Sequence, residues 1–411
     1  MNKKINVLYD VRLLWDTGKT GIYRVAYELI HGVSKSSCIT PYAVINNNML
    51  NDKASIDCHL LPDGFIIPEP KKRFLRYWFT KLFLSRRKLR KLVAKSYYYS
   101  RKELKRIQIY HSPFHVISDQ IRREKGIIRF TTIYDLIAIT NPNYFEDNII
   151  DFISNVIGQL DESDRVFCIS NYTREILLSN SKVRSENAYV VPLAASPIFK
   201  PISVNDASNF TLKKYQVYDV PYILSVCTLE IRKNLDTVIK SFVDLNERQV
   251  LPEGTKLVLV GQVGWKTERI DQALAGAEKY KNLIIITGYV PDEELAVLYS
   301  KAKVFIYMSL LEGFGLPPLE AMSCGTPVIT SNTSSLPEVV GDSGILCDPY
   351  DIPEICMYVE KLFNDQFFHE EMSEKAYKRS QLFSWENYVE ETIKIYKRVV
   401  EEVSISDSGA K

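Results

Sequence analysis

Two carboxylates eight residues apart, Glu312 and Glu320, enclose Gly313-Phe314-Gly315-Leu316-Pro317-Pro318-Leu319. Glycine lets a backbone come close to a ligand, and proline is favoured at the first helical position. The spacing therefore predicts a glycine loop at the start of a helix, with Glu312 in the loop and Glu320 in the first turn. The start of a helix favours anions, phosphates above all. A carboxylate beside an anion site accepts hydrogen bonds from hydroxyls, such as those of a sugar or ribose. The pattern points to a site for a sugar nucleotide.

The elements that must position these residues alternate between strand and helix. Ile5 to Tyr9 reads as a compact apolar strand, followed by a loop with Gly18 and Gly21. Ile22, Val25, Ala26, Leu29, Ile30 and Val33 then recur at helical spacing. Further strands are expected at 41–45, 107–110, 128–133, 165–169 and 188–191. A stretch without periodicity, 192–221, reads as a linker. Beyond it, strands are expected at 222–226, 256–260, 283–286, 304–307 and 327–329. Helices are expected to start near Leu235, Thr267, Asp292 and Pro317. Strands alternating with helices imply parallel sheets covered on both faces. Two such units joined by a linker leave a cleft, and ligands in open α/β sheets bind beyond the C-terminal strand ends. Trp385 to Val403 reads as an amphipathic helix with a polar tail.

The chain of 411 residues has room for two domains, and its 46% hydrophobic and 25% charged residues are globular composition. Seven scattered cysteines with no CxxC pair argue for reduced thiols, against a disulfide framework or a zinc site. The chain opens on a strand pattern and not on a secretory leader, and no apolar run is long enough to span a bilayer. The net charge of +2 hides an asymmetry: residues 71–106 hold fifteen Lys or Arg and one acid, Glu103.

Glu312 to Glu320 resembles the E-x7-E motif of family 4 retaining glycosyltransferases. Tyr222 to Val226, followed by Leu229-Glu230-Ile231-Arg232-Lys233-Asn234-Leu235, resembles that family's first C-terminal strand and its Arg-Lys-Asn loop. Gly288-Tyr289-Val290-Pro291-Asp292-Glu293-Glu294-Leu295 resembles its nucleobase-side loop. Ala321 to Ile329 and Leu336-Pro337-Glu338-Val339 match the downstream pattern. Thr20-Gly21-Ile22, Asp135-Leu136-Ile137, Ile169-Ser170-Asn171-Tyr172 and Val191-Pro192-Leu193 are shorter matches in the first half.

The resemblance implies an α/β protein of GT-B fold, with two Rossmann-like domains facing across a deep cleft. Residues 1–200 would be an acceptor domain carrying a basic aromatic insertion at 71–106. Residues 201–384 would be the nucleotide-sugar domain, and 385–411 a helix packing back on the first domain, with a tail. Glu320 would grip the ribose hydroxyls and Glu312 the donor hexose. Gly313, Phe314, Gly315 and Leu316 would form the loop between them, offering backbone amides. Tyr289 and Val290 would lie on the nucleobase side, and Thr20 and Gly21 against the donor phosphates.

Arg232 and Lys233 would face the diphosphate. Glycosyl transfer leaves negative charge there, and fixed cations stabilise the transition state more than the ground state. With no Asp-x-Asp motif in the chain, no metal and no cofactor are expected; the nucleotide sugar is a co-substrate. Many family members have His where this chain has Tyr134, facing the reaction centre. Tyrosine can hydrogen-bond a sugar hydroxyl but cannot carry a proton near neutral pH as His does. Asp135, His111, His115 and Arg24 are candidates for the acceptor side. Ser170 reads as a helix N-cap, outside the catalytic set.

The function implied is retaining transfer of a mannose-like hexose, from a GDP-sugar, to a growing surface glycan. The alternatives are a UDP-sugar-dependent hexosyl or N-acetylhexosaminyl transferase, and a non-catalytic sugar-nucleotide-binding homologue. Aromatic residues interleaved with Arg and Lys in 71–106 suggest a membrane-surface element. That favours a lipid-linked acceptor and a cytoplasmic protein at the inner face of the cell membrane. A nucleic-acid partner is not expected, since it would not need the E-x7-E site. A nicotinamide oxidoreductase is disfavoured because no GxGxxG follows a strand.

Overall fold

The computed structural model describes residues 4–10, 21–44, 65–66, 69–70, 97–98, 101–203 and 205–409. Thr20, Gly18 and most of the basic insertion lie outside the described residues.

The first sheet has seven strands, ordered β3-β2-β1-β6-β7-β8-β9. They are β1 Ile5–Tyr9, β2 Ile39–Val44, β3 Phe65–Ile66, β6 Ile109–Ser112, β7 Ile128–Ile133, β8 Arg165–Cys168 and β9 Ala188–Val190. Every pairing in it is parallel. A short antiparallel pair, β4 Glu69–Pro70 and β5 Tyr97–Tyr98, stands apart from it. Val7 and Leu8 are both fully buried, so β1 is covered on both faces, as its apolar run Val7-Leu8-Tyr9 requires.

The second sheet has six parallel strands, ordered β12-β11-β10-β13-β14-β15. They are β10 Tyr222–Val226, β11 Lys256–Val260, β12 Ile284–Gly288, β13 Val304–Tyr307, β14 Val328–Ser331 and β15 Ile345–Cys347. In each sheet the strand order reverses once. The first switches between β1 and β6, the second between β10 and β13. At such a point neighbouring crossovers leave in opposite directions, which opens a crevice beyond the strand ends.

The expected linker contains a helix, Asp206–Lys214, that the sequence pattern does not reveal. It is short and weakly apolar. Its start is set by a local capping box, in which Asn205 Oδ1 accepts from Ser208 N at 2.8 Å and Ser208 Oγ accepts from Asn205 N at 2.9 Å.

The last helix, Trp385–Gly409, packs on the helix Gly21–Ser34 of the first half. Gly32 makes the approach possible: a Cβ there would stand 2.4 Å from a Val389 methyl carbon. Tyr396 and Val399 are fully buried in the core of the first sheet. Phe314, Leu319 and Val339 of the second half belong to that same core. Six cysteines among the described residues are free thiols. No helix among the described residues is long and apolar enough to cross a membrane.

Candidate functional site

Arg232 and Lys233 occupy a 3-10 turn, Ile231–Lys233, after β10. The loop Met308–Gly315 follows β13. The two segments therefore meet at the switch point of the second sheet. Asn234 turns the first segment into the helix Leu235–Glu247 through a left-handed conformation, φ 54°. Asparagine tolerates that region better than most residues. Its side-chain amide donates to Pro349 O at 2.7 Å and its carbonyl accepts from Thr237 Oγ1 at 3.1 Å. Gly315, φ 112°, does the same for the helix Leu316–Ser323, whose first turn carries Pro317 and Pro318.

Glu312 is the hub. Its Oε1 lies 2.5 Å from Lys233 Nζ, 3.4 Å from Arg232 and 2.8 Å from the Tyr307 hydroxyl. Lys233 also donates to Tyr307 Oη at 2.9 Å. Arg232 is held in turn by Glu230 at 2.7 Å and by the Leu311 carbonyl at 2.5 Å. Burial opposes the charge on Glu312, but Lys233 and Arg232 outweigh it and hold the carboxyl at about 2. Glu312 is thus ionised at any physiological pH. It can accept hydroxyl hydrogen bonds but cannot donate a proton. Burial likewise opposes the charge on Arg232, and Glu312 and Glu230 hold it firmly protonated.

Glu320 sits on the same helix as the prolines and is buried. The Tyr299 hydroxyl donates to it at 3.1 Å. Burial pushes its carboxyl up to about 7, against the pull of Arg24 and Tyr299. Two carboxylates on one nine-residue segment therefore differ in how readily they ionise, because Glu312 has two cations beside it and Glu320 has one guanidinium at 3.7 Å.

The first half closes the site from above. Asp135 is half-buried at the end of β7; burial raises its carboxyl, and Arg232 is the strongest opposing influence. A Cβ on Gly313 would stand 2.4 Å from the Tyr134 carbonyl oxygen and 2.7 Å from Asp135 Cβ. Only glycine permits this approach. The arrangement brings two cations, two carboxylates and a helix start to one crevice, a combination suited to a diphosphate flanked by hydroxyl-bearing groups.

The family described as "Glycosyl transferases group 1" matches residues 210–379. The chain is 33% identical over 294 residues to the O-antigen chain mannosyltransferase B of Escherichia coli, covering 70% of this chain and 74% of that one. It is 31% identical over 282 residues to the serotype-specific mannosyltransferase WbdA of Escherichia coli, covering 67% of this chain and 34% of that longer protein. The chain belongs to the group 1 glycosyltransferases. A sucrose-phosphate synthase from Thermosynechococcus elongatus shares the fold, with TM-score 0.69 at 18% identity over 97% of this chain and all of that one. Its two Rossmann-like domains are the GT-B architecture.

Three side chains of this glycosyltransferase sit elsewhere than expected. Tyr134 turns its side chain into the first core and not towards Glu312. Its phenol lies in the first core, edge-on to Phe114 at 5.7 Å, with a buried oxygen that has no hydrogen-bond partner. Only its backbone meets the Gly313 loop. His111 is not on an acceptor surface. It is fully buried, with Nδ1 2.5 Å from Tyr396 Oη and Nε2 2.8 Å from Thr132 Oγ1, and burial lowers its pKa to about 3. Tyr396 arrives from the last helix, which no local pattern around His111 reveals. Arg24 reaches the other half: it pairs with Asp292, and its Nη1 lies 3.7 Å from Glu320.

His115 stays at the C-terminal mouth of the first sheet, half-buried, in a turn closed by Ser112 Oγ at 2.9 Å from its amide. Gly21 opens the helix Gly21–Ser34. In the loop after β12 Tyr289 is 69% exposed, while the Val290 side chain is buried in the second core. Leu316 packs against the first core. Sequence reasoning missed Tyr307 and Tyr299. Both lie within apolar stretches, where a tyrosine reads as core; Tyr307 reaches Glu312 and Tyr299 reaches Glu320 through the hydroxyl end of a buried ring.

Proposed function

We propose that this glycosyltransferase moves a mannose-like hexosyl group from a GDP-sugar to a growing surface glycan, with retention at the anomeric carbon. The observation that carries the reading is Glu312 held between Lys233 and Arg232 at the switch point, eight residues before Glu320. The relatives named as mannosyltransferases support the choice of sugar.

In this reading the diphosphate of the donor lies against Arg232 and Lys233 and takes over from Glu312 as their counter-charge. Glu312, released, accepts hydroxyls of the hexose. Glu320 accepts the ribose hydroxyls. The bond between the anomeric carbon and the diphosphate oxygen breaks, and the bond to the acceptor oxygen forms on the same face. The acceptor proton passes to the departing phosphate oxygen. Arg232 and Lys233 stabilise the charge that grows on that phosphate, which is worth more in a water-poor site than in bulk. They supply this charge in place of a divalent ion. The acceptor, in the same reading, is a lipid-linked glycan at the inner membrane face, approached through residues 71–106.

The test is a thermal-shift panel of GDP-, UDP-, dTDP- and ADP-sugars, followed by transfer with the best of them. A ligand at 100 times its Kd stabilises by about 2.7 kcal/mol. GDP-mannose should raise the melting temperature most. A larger rise with UDP-sugars would overturn the donor assignment. Neutralising Arg86, Arg87, Lys88, Arg90 and Lys91 should reduce binding to anionic vesicles. Unchanged binding at high salt would remove the electrostatic membrane role.

A further inference from the structure

The helix Asn171–Asn180 belongs to the first half, yet its start is bonded to the second. Glu338 accepts from the backbone N–H of Asn171 at 2.7 Å, from that of Tyr172 at 2.7 Å and from Asn171 Nδ2 at 3.0 Å. The first N–H groups of a helix have no partner within it, and a carboxylate is favoured at that end. Here the carboxylate comes from the other half of the molecule, 167 residues away. The guanidinium of Arg379 donates to the backbone carbonyls of Glu338 at 2.8 Å and Val339 at 3.1 Å, which fixes the segment bearing the carboxylate.

Ser170 precedes that helix and does cap it: its Oγ accepts from Thr173 N at 3.0 Å. The same hydroxyl donates across the halves to the Gly313 carbonyl at 2.6 Å, which Thr173 Oγ1 also reaches at 3.2 Å. Gly313 directly follows Glu312. The neighbouring carbonyls are held from within the second half, since Ser335 Oγ lies 2.9 Å from Glu312 O and 2.8 Å from Phe314 O. The one Ser335 hydroxyl thus serves the two outer carbonyls from within the second half, while the middle one depends on the first half being docked. A cap alone accounts for the bond to Thr173. It does not account for the bond to Gly313.

We propose that Ser170 and Glu338 are positioning residues: they register the first half on the second and so set the Glu312 loop in its working place. The proposal rests on the reading of Glu312 as a donor-side carboxylate. When the halves separate, Gly313 loses both hydroxyl donors and Glu338 loses three N–H donors. The loop that carries Glu312 is then tied down on one side only.

Three variants separate this role from helix capping. Ser170→Asp keeps a capping acceptor but at neutral pH has no proton for the Gly313 carbonyl. Ser170→Thr keeps both functions. Glu338→Gln keeps the size and replaces one acceptor by a donor. Ser170→Asp and Glu338→Gln should lower kcat by about tenfold or more, as misplacement of a reacting group does. Their Kd for the nucleotide diphosphate should stay within about twofold. Amide exchange at Gly313 and Phe314 should quicken in both, and Ser170→Thr should restore kcat. Wild-type kcat in Ser170→Asp, or a fall in kcat matched by an equal loss of nucleotide affinity, would overturn the proposal. Glu312→Gln distinguishes the two levels of the argument. If it transfers normally, the reading of the loop itself is wrong. If it is inactive while Ser170→Asp is fully active, only the positioning role falls.

Discussion

Arg24 pairs across the cleft with Asp292 and stands 3.7 Å from Glu320, so a first-half cation faces the carboxylate on the helix after Gly315. The pair is partly exposed, at 30% and 37% for the two side chains. It is therefore worth on the order of 0–1 kcal/mol to stability. Its larger effect is on Glu320. Burial raises that carboxyl from 4.5 to about 7, and Arg24 is the strongest opposing influence.

Arg24→Ala should move the titration of Glu320 further up. A raised carboxyl binds more protons in the folded state than in the unfolded. Its stability contribution is full below about pH 4.5 and is lost as pH rises through the folded value. Nucleotide affinity should show the converse, tightening as Glu320 ionises through about pH 7. Calorimetric Kd against pH should place the midpoint higher in Arg24→Ala than in the parent. Glu320→Gln should flatten the profile. An unchanged midpoint in Arg24→Ala would show that the guanidinium does not act on Glu320.

Arg232→Ala should cost about 10²–10³ in kcat, the range seen when one preorganised charge-stabilising donor is removed. It also leaves Glu230 short of a partner at 2.7 Å, so a lower melting temperature is expected. Single-turnover rates at saturating donor separate the two effects. A loss confined to donor KM would mean that Arg232 binds ground state and transition state alike.

Glu312→Gln should nearly abolish transfer and also change the acid limb of stability. Lys233 and Arg232 hold the carboxyl at about 2, below its usual 4.5. A depressed carboxyl stabilises the fold above about pH 4.5, and this is lost as pH falls towards 2. The variant should melt lower than the parent at pH 7, and the gap should narrow between pH 4.5 and 2. A constant gap across that range would place the source of stability elsewhere.

Tyr134→Phe should retain kcat within about twofold and melt at the same temperature or higher, since it removes a buried hydroxyl without a partner. A large loss of transfer would return the phenol to the reaction centre.

Gly313→Ala should be severe although it adds one methyl group. The new Cβ would meet the Tyr134 carbonyl oxygen at 2.4 Å and Asp135 Cβ at 2.7 Å. Neither can yield without moving the two halves apart. Small-angle scattering should show a larger radius of gyration, with kcat falling more than nucleotide affinity. An unchanged radius with full activity would mean that the contact is not needed for turnover.

The sequence by itself determined much of this protein, because those features are local. Strand and helix periodicity placed β1, β7, β10 and β13 within a residue or two. Gly315 and the proline pair marked the helix start at Leu316. The nonapeptide Glu312 to Glu320 marked a glycine loop entering a helix, with a carboxylate at each end. What only the tertiary structure decided depends on residues far apart in the chain. Strand order put the loops after β10 and β13 side by side, which sets Glu312 2.5 Å from Lys233. The last helix delivered Tyr396 to His111 across 285 residues and made that histidine core. Tyr134 turned inward into the core beside Phe114, and Arg24 crossed to Asp292 of the other half. Periodicity reports which face of an element is apolar. It carries no information about which distant element will cover that face, and in this glycosyltransferase the cover distinguishes a residue of the site from a residue of the core.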